Sequence, residues 1–188
     1  FRYSGSSRNK VSSESAETAK PVTALNLVKL DPSTNPVQLK TPNQSEEALP
    51  LTAAIATASG EWAIGSGGRG LLLHQNGVIR EADAKTLRPY FVTSVFSAGD
   101  RLWLGEFANQ RTGAVWLFSA EKMKRLPIET EAVRAIGGGD DELWVGTNRR
   151  GAFLLKPEGD EARLIEHLTF DNTAGGLRSN QVNAVFRD

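Results

Sequence analysis

The residues best able to do chemistry in this chain lie in a few short polar phrases. Gly65-Ser-Gly-Gly-Arg-Gly70 spells the glycine pattern of a dinucleotide-binding loop and follows an apolar run. That chemistry needs a helix after the last glycine, so that the helix N-terminus meets the pyrophosphate. Here Leu71-Leu72-Leu73 is followed at once by Asn76-Gly77, which ends the element too early for a helix. The phrase therefore reads as a glycine-rich inter-strand turn. His74 and His167 are the two histidines, remote from each other, and neither has the neighbours a triad or metal site requires. Asp140-Asp141-Glu142 has the charge to hold a cation, but its place just before Leu143-Trp144 is where a turn is needed. No carboxylate pair stands out for glycosidic acid–base work.

One constellation carries more. Arg69, then Gln110-Arg111, then Asn148-Arg149-Arg150 occur in polar stretches that each follow a Trp-containing run, and Asn172, Arg178, Ser179 and Asn180 lie in a later polar connection. Guanidinium groups bind carboxylate or sulfate bidentately, and amides bind sugar hydroxyls. If these stretches share one face, they form a mouth for an anionic or polyhydroxylated small molecule or oligosaccharide. Solvated loops are polar in any case, so the bland reading stays open.

The elements that would position these residues follow from a repeat. Trp62, Trp103 and Trp144 are spaced 41 residues apart, inside Glu61-Trp62-Ala63-Ile64-Gly65, Leu102-Trp103-Leu104-Gly105 and Leu143-Trp144-Val145-Gly146-Thr147. A fixed period of about 40–45 residues signals a repeat architecture whose copies bury their apolar faces against one another. Each copy opens on a short segment: Thr52-Ala-Ala-Ile55, Val92-Thr-Ser-Val95, Val133-Arg-Ala-Ile136 and Val182-Asn-Ala-Val185. These are too short for helices and read as strands. A Gly/Asp turn, the Trp strand ending at Gly65, Gly105 or Gly146, a polar loop and an apolar third strand follow. A variable fourth strand is expected around Val78–Ala82, Arg125–Ile128 and Ala162–Leu168. Four strands per period make a β-propeller blade, and tryptophans recurring inside strands belong to the core between blades. The fold expected is all-β: a partial β-propeller of about three four-stranded blades, with flanking strands of adjacent blades.

The division expected along the chain is a polar linker or disordered loop over 1–20, rich in Ser and nearly without apolar residues. Outer strands of a preceding blade follow over 21–50, with Asp31-Pro-Ser-Thr-Asn35 as their turn. Blades then cover 51–90, 91–131 and 132–181, and residues 182–188 begin the next. Three blades cannot close a ring, since propellers use about four to eight. The chain opens at Phe1 and stops where another Trp strand is due, so it reads as a piece of a longer protein. Losing several hundred Å² of inter-blade burial, at about 25 cal/mol per Å², costs on the order of 10 kcal/mol. Poor solubility of the isolated segment is the expectation.

The phrases Leu143-Trp-Val-Gly-Thr147 with Arg150-Gly151-Ala152-Phe153, and Gly176-Leu-Arg-Ser-Asn-Gln-Val-Asn-Ala-Val-Phe-Arg-Asp188, resemble the two-component regulator propeller repeat. The first copy departs most, with Ala63 after its Trp and Ser66 in place of Thr. The resemblance covers roughly 24–188. It implies a non-enzymatic sensor segment outside the cytoplasm, in the periplasm of a bacterium, within a membrane-anchored protein. Its partners would be the rest of the propeller, downstream output domains such as a histidine kinase, and a second copy in a homodimer. It implies no cofactor. Two other readings remain open: a protein–protein scaffold, or part of a propeller enzyme, a lyase or glycosidase, with its catalytic residues elsewhere.

Composition sets outer limits. The 22 basic and 22 acidic residues balance, so no global field draws the chain to nucleic acid or anionic lipid. No apolar run of about 18 residues is present to span a membrane as a helix. Cysteine is absent, which excludes disulfides and thiol chemistry.

Overall fold

The computed structural model describes residues 50–76, 78–82 and 89–186. The expected linker over 1–20, and all but the last residue of the expected outer strands over 21–50, lie outside the described residues. Among those described there are twelve strands and no helix. β1 (Leu51–Ala56), β2 (Trp62–Ser66), β3 (Gly70–Gln75) and β4 (Val78–Glu81) form the first sheet. β5 (Val92–Ala98), β6 (Arg101–Glu106), β7 (Val115–Ser119) and β8 (Lys122–Arg125) form the second. β9 (Val133–Gly138), β10 (Leu143–Thr147), β11 (Ala152–Glu158) and β12 (Glu161–Leu168) form the third. Each is an antiparallel meander in chain order. The described residues form an all-β partial propeller of three blades that do not close into a ring.

The blades stack because successive strand residues point to opposite faces. Leu102, Leu104, Trp116 and Phe118 of the second blade pack with Ala63, Leu71, Leu73 and Val92 in one buried cluster. The alternate residues Trp103, Val115 and Leu117 pack with Val133, Ile136, Leu143, Val145, Phe153 and Leu155 in another. Trp103 is 0% exposed. A side chain of that size buries about 150–250 Å², an upper value of about 4–6 kcal/mol.

A knob-and-socket contact recurs between blades. Gly105 faces Val133, whose Cγ1 would lie 2.5 Å from a Cβ at that position. Gly65 meets Val92 Cγ1 in the same way at 2.8 Å, and Gly146 meets Val182 Cγ1 at 2.8 Å. The glycine closing each Trp strand is thus a socket for the first valine of the next inner strand. Residues 181–186 lie against the third blade as β9 lies against the second: Val182 N–H donates to the Thr147 carbonyl at 2.9 Å.

Three sequence expectations change. Trp62 pairs with Ala56, as Leu102 pairs with Ser97 and Leu143 with Gly138. Ala63, not Trp62, occupies the position of Trp103 and Trp144. The cause is the first turn, where residues 57–61 separate the paired Ala56 and Trp62, against 98–101 between Ser97 and Leu102. One extra residue slides the strand, and a one-residue slip moves a side chain to the opposite face. Trp62 consequently points away from the second blade and is 48% exposed. By the same pairing Leu51, not Thr52, corresponds to Val92 and Val133. Lastly, the fourth strand of the second blade is Lys122–Arg125 instead of 125–128, because Ser119 and Lys122 pair across a two-residue turn. Ala120 (φ 48°) and Glu121 (φ 61°) form that turn, both left-handed, a hairpin geometry usually given to Asn-Gly.

Candidate functional site

All three blades carry the same irregularity at the start of the inner strand. The pairing skips Thr52 between Leu51 and Ala53, Thr93 between Val92 and Ser94, and Arg134 between Val133 and Ala135. Each is a β-bulge, which leaves one residue unpaired and re-aims its side chain. Together with Asn183, which follows Val182 as Arg134 follows Val133, the three bulged residues line one open cavity of about 560 Å³. Phe107 and Gln181 complete the described lining. The cavity lies at the strand ends joined to the β2–β3, β6–β7 and β10–β11 loops, since Leu51 pairs with Ser66, Val92 with Glu106 and Val133 with Thr147.

The lining groups have defined hydrogen-bond states. Thr52 Oγ1 donates to the Val92 carbonyl. Thr93 Oγ1 donates to the Val133 carbonyl at 2.7 Å and shares its proton with the Gly105 carbonyl at 3.1 Å. Both hydroxyls therefore keep lone pairs to accept from a bound molecule. Gln181 Nε2 donates to Asn183 Oδ1 at 3.1 Å, which leaves the Asn183 amide N–H groups as donors. Arg134 Nε donates to Asn148 Oδ1 at 2.8 Å, and its guanidinium carbon lies 5.3 Å from the Phe107 ring centroid. Ser94 Oγ accepts from Ile136 N–H at 3.0 Å, tying the inner strands of the second and third blades together.

The residues expected at the mouth divide into three groups. Arg69, Arg150 and Asn180 are engaged in holding the fold. Arg69 Nε pairs with Glu81 at 3.2 Å. Arg150 Nη1 donates to the Glu129 carbonyl at 2.7 Å, and its guanidinium carbon lies 5.8 Å from the Phe153 ring centroid. Asn180 accepts from Gly151 N–H at 2.8 Å through its carbonyl and from Phe170 N–H at 2.7 Å through Oδ1. Gln110 and Asn148 are brought together, Asn148 Nδ2 donating to the Gln110 carbonyl at 3.4 Å. Arg111, Arg149 and Arg178 are exposed. Asn148 touches the cavity only through Arg134.

Sequence reasoning missed Thr52, Thr93, Arg134 and Asn183. The signal was present: the residue after the opening apolar position is polar in every copy. The glycine-rich phrase at 65–70 is a hairpin, with Ser66 paired to Gly70 and Ser66 Oγ donating to the Gly70 carbonyl at 2.9 Å. Thr147 Oγ1 makes the same bond to the Gly151 carbonyl at 2.8 Å. In the second blade Glu106 stands there instead, and its carboxylate accepts from Trp116 Nε1 at 2.9 Å and Tyr90 N–H at 3.1 Å. His167 is half-buried at the end of β12, and its ring stacks on Phe153 with centroids 4.0 Å apart. No protein-family model matches the chain, and no curated protein matches it.

Proposed function

We propose that this segment is the ligand-binding part of a sensor: a non-enzymatic propeller that holds a small, hydroxyl-rich molecule at its axial mouth. The observation that carries the reading is the bulge repeated in all three blades, each placing one polar side chain in the same cavity. A bulge interrupts a ladder of hydrogen bonds, and three in register serve a common purpose at the mouth. The described lining of Thr, Asn, Gln, Arg and Phe suits recognition better than proton transfer near neutral pH.

The setting we propose is a bacterial two-component regulator, with the propeller outside the cytoplasm and an output domain beyond the membrane. The repeat phrases at 143–153 and 176–188 support that setting. Occupancy would bias the output only through unequal affinity for two arrangements of the assembly.

The test is amide NMR of the complete propeller, isotope-labelled, against a panel of neutral and charged mono- and disaccharides. Shift changes are expected to cluster at 51–52, 92–93, 133–134 and 181–183. Changes confined to other surfaces, or none with any compound, overturn the reading. For the setting, the gene's complete reading frame should encode a membrane helix and an output module after this segment. A stop directly after the propeller would select a scaffold instead.

A further inference from the structure

Arg134 differs from the other well-placed arginines of the described residues. Arg80 spends Nη1 and Nη2 on the Glu121 carboxylate, and Arg101 and Arg150 each spend Nη1 on a backbone carbonyl. Arg134 is half-buried and positioned at three points: by the bulge in its own strand, by Nε on Asn148, and by the Phe107 ring beneath it. Asn148 is itself held, its N–H donating to the Ala132 carbonyl at 2.9 Å and its Nδ2 to the Gln110 carbonyl. Yet among the described residues nothing accepts from Arg134 Nη1 or Nη2. A guanidinium whose rotamer is locked, and whose terminal pair has no acceptor, has already lost the freedom that binding would otherwise remove.

The remaining lining shows what the terminal pair addresses. Among the described residues lining the cavity, Arg134 alone is charged, so a bound anion meets no opposing carboxylate there. The edge formed by Nη1 and Nη2 matches two oxygens of one oxyanion. Thr52 and Thr93 offer acceptor oxygens, and Asn183 offers donors, at the other walls.

Resting on the reading of the mouth as a ligand site, we infer that Arg134 binds the oxyanion of a hydroxylated small molecule, a carboxylate or a sulfate ester, while the Thr and Asn side chains take its hydroxyl groups. The bond is non-covalent, and Asn148 acts as its positioning residue.

The experiment uses the full-length protein that contains this segment, with three probes: glucuronate, glucose 6-sulfate and glucose. Affinities are measured by calorimetry for the unsubstituted protein, for Arg134→Gln and for Arg134→Lys. At least one charged probe should bind about 10–100-fold more tightly than glucose. Arg134→Gln should erase that preference, bringing the charged probes to the level of glucose, and Arg134→Lys, which keeps charge but not the fork, should fall between. Glucuronate above glucose 6-sulfate assigns a carboxylate, and the reverse order a sulfate. Equal binding of all three probes to the unsubstituted protein overturns the inference and leaves the mouth a ligand site. A charge preference that survives in Arg134→Gln also overturns it, since the anion then lies elsewhere. If none of the probes binds, the inference falls together with the reading of the mouth. Should Arg134→Gln fail to fold, the comparison of probes on the unsubstituted protein, and its reduction in Arg134→Lys, decides alone.

Discussion

Replacing Gly105 with Ala tests whether blade spacing is set by the glycine–valine contacts. An added Cβ would lie 2.5 Å from Val133 Cγ1 and 3.2 Å from Val133 Cβ, with Ile136 Cδ1 at 3.5 Å. Carbon atoms rest at about 3.5–4.0 Å, so the nearest pair must separate by roughly 1 Å. Val133 is fully buried and β-branched, so it has no easy alternative rotamer. The relief has to come from the sheets moving apart. Overpacking of this kind costs about 1–3 kcal/mol, against a gain of at most about 1 kcal/mol from a stiffer unfolded chain. A net loss of about 1–2 kcal/mol is expected. Val133→Ala alone removes two buried methyl groups and leaves a cavity, for a loss of about 2–3 kcal/mol. In the double variant the new methyl of residue 105 fills part of that cavity. The combined loss should therefore fall short of the sum by at least about 1 kcal/mol. Urea denaturation followed by tryptophan fluorescence is the assay, because Trp103 is buried in this same interface. Additivity within about 0.5 kcal/mol, or a neutral Gly105→Ala, refutes the reasoning.

Three further outcomes follow from the same structure. Trp103→Ala should cost about 3–5 kcal/mol, while Trp62→Ala, on a half-exposed side chain, should cost no more than about 1 kcal/mol in the same denaturation assay. Ala120→Asn should raise the thermal midpoint, by about 0.5–1 kcal/mol of stability, because Asn accepts the left-handed conformation this turn imposes. The Arg80 guanidinium is held above the ordinary arginine value by its hydrogen bond to Glu121, with the charges of Glu121 and Glu61 adding to the rise and burial opposing it. Its contribution is fully present below the unfolded value and is lost only as pH climbs through the raised folded one. Arg80→Ala should therefore lose the same small amount, about 0.2–1 kcal/mol, throughout the neutral range, shrinking in 1 M salt as exposed pairs do.

The blade was legible in the sequence because its signals are local. Alternating apolar residues, Gly/Asp turns and the phrase Leu143-Trp-Val-Gly-Thr147 each specify a strand or its end within a few residues. Trp62 misled because an interval of 41 residues carries no information about register. A single extra residue in the turn at 57–61 turned the ring to the opposite face while the count stayed intact. β8 starts early because Ala120 and Glu121 take left-handed conformations that their residue types do not advertise. The site was legible only as a region. Polar loops announce which end of a propeller is wet, and Asn148 was drawn from them. Arg134 lies in a strand, and its turn toward the cavity depends on a bulge that exists only once β9 has paired with β10. Arg69 and Arg150 sit in the polar loops that drew attention, but they are spent on Glu81 of the same blade and on the Glu129 carbonyl of the preceding one.

The threonine bonds at the mouth have a mechanical consequence. Thr52 and Thr93 each reach across to the first valine carbonyl of the following blade, so the groups that would greet a ligand are also stitches between blades. On the proposed reading of the mouth, a molecule that took the protons of those hydroxyls would compete with the bonds that join one blade to the next. If binding favoured one blade spacing, linkage would require that spacing to favour binding in return. Hydrogen exchange at the inner-strand amides beside Val92 and Val133, compared with and without a bound sugar, tests whether the seams respond.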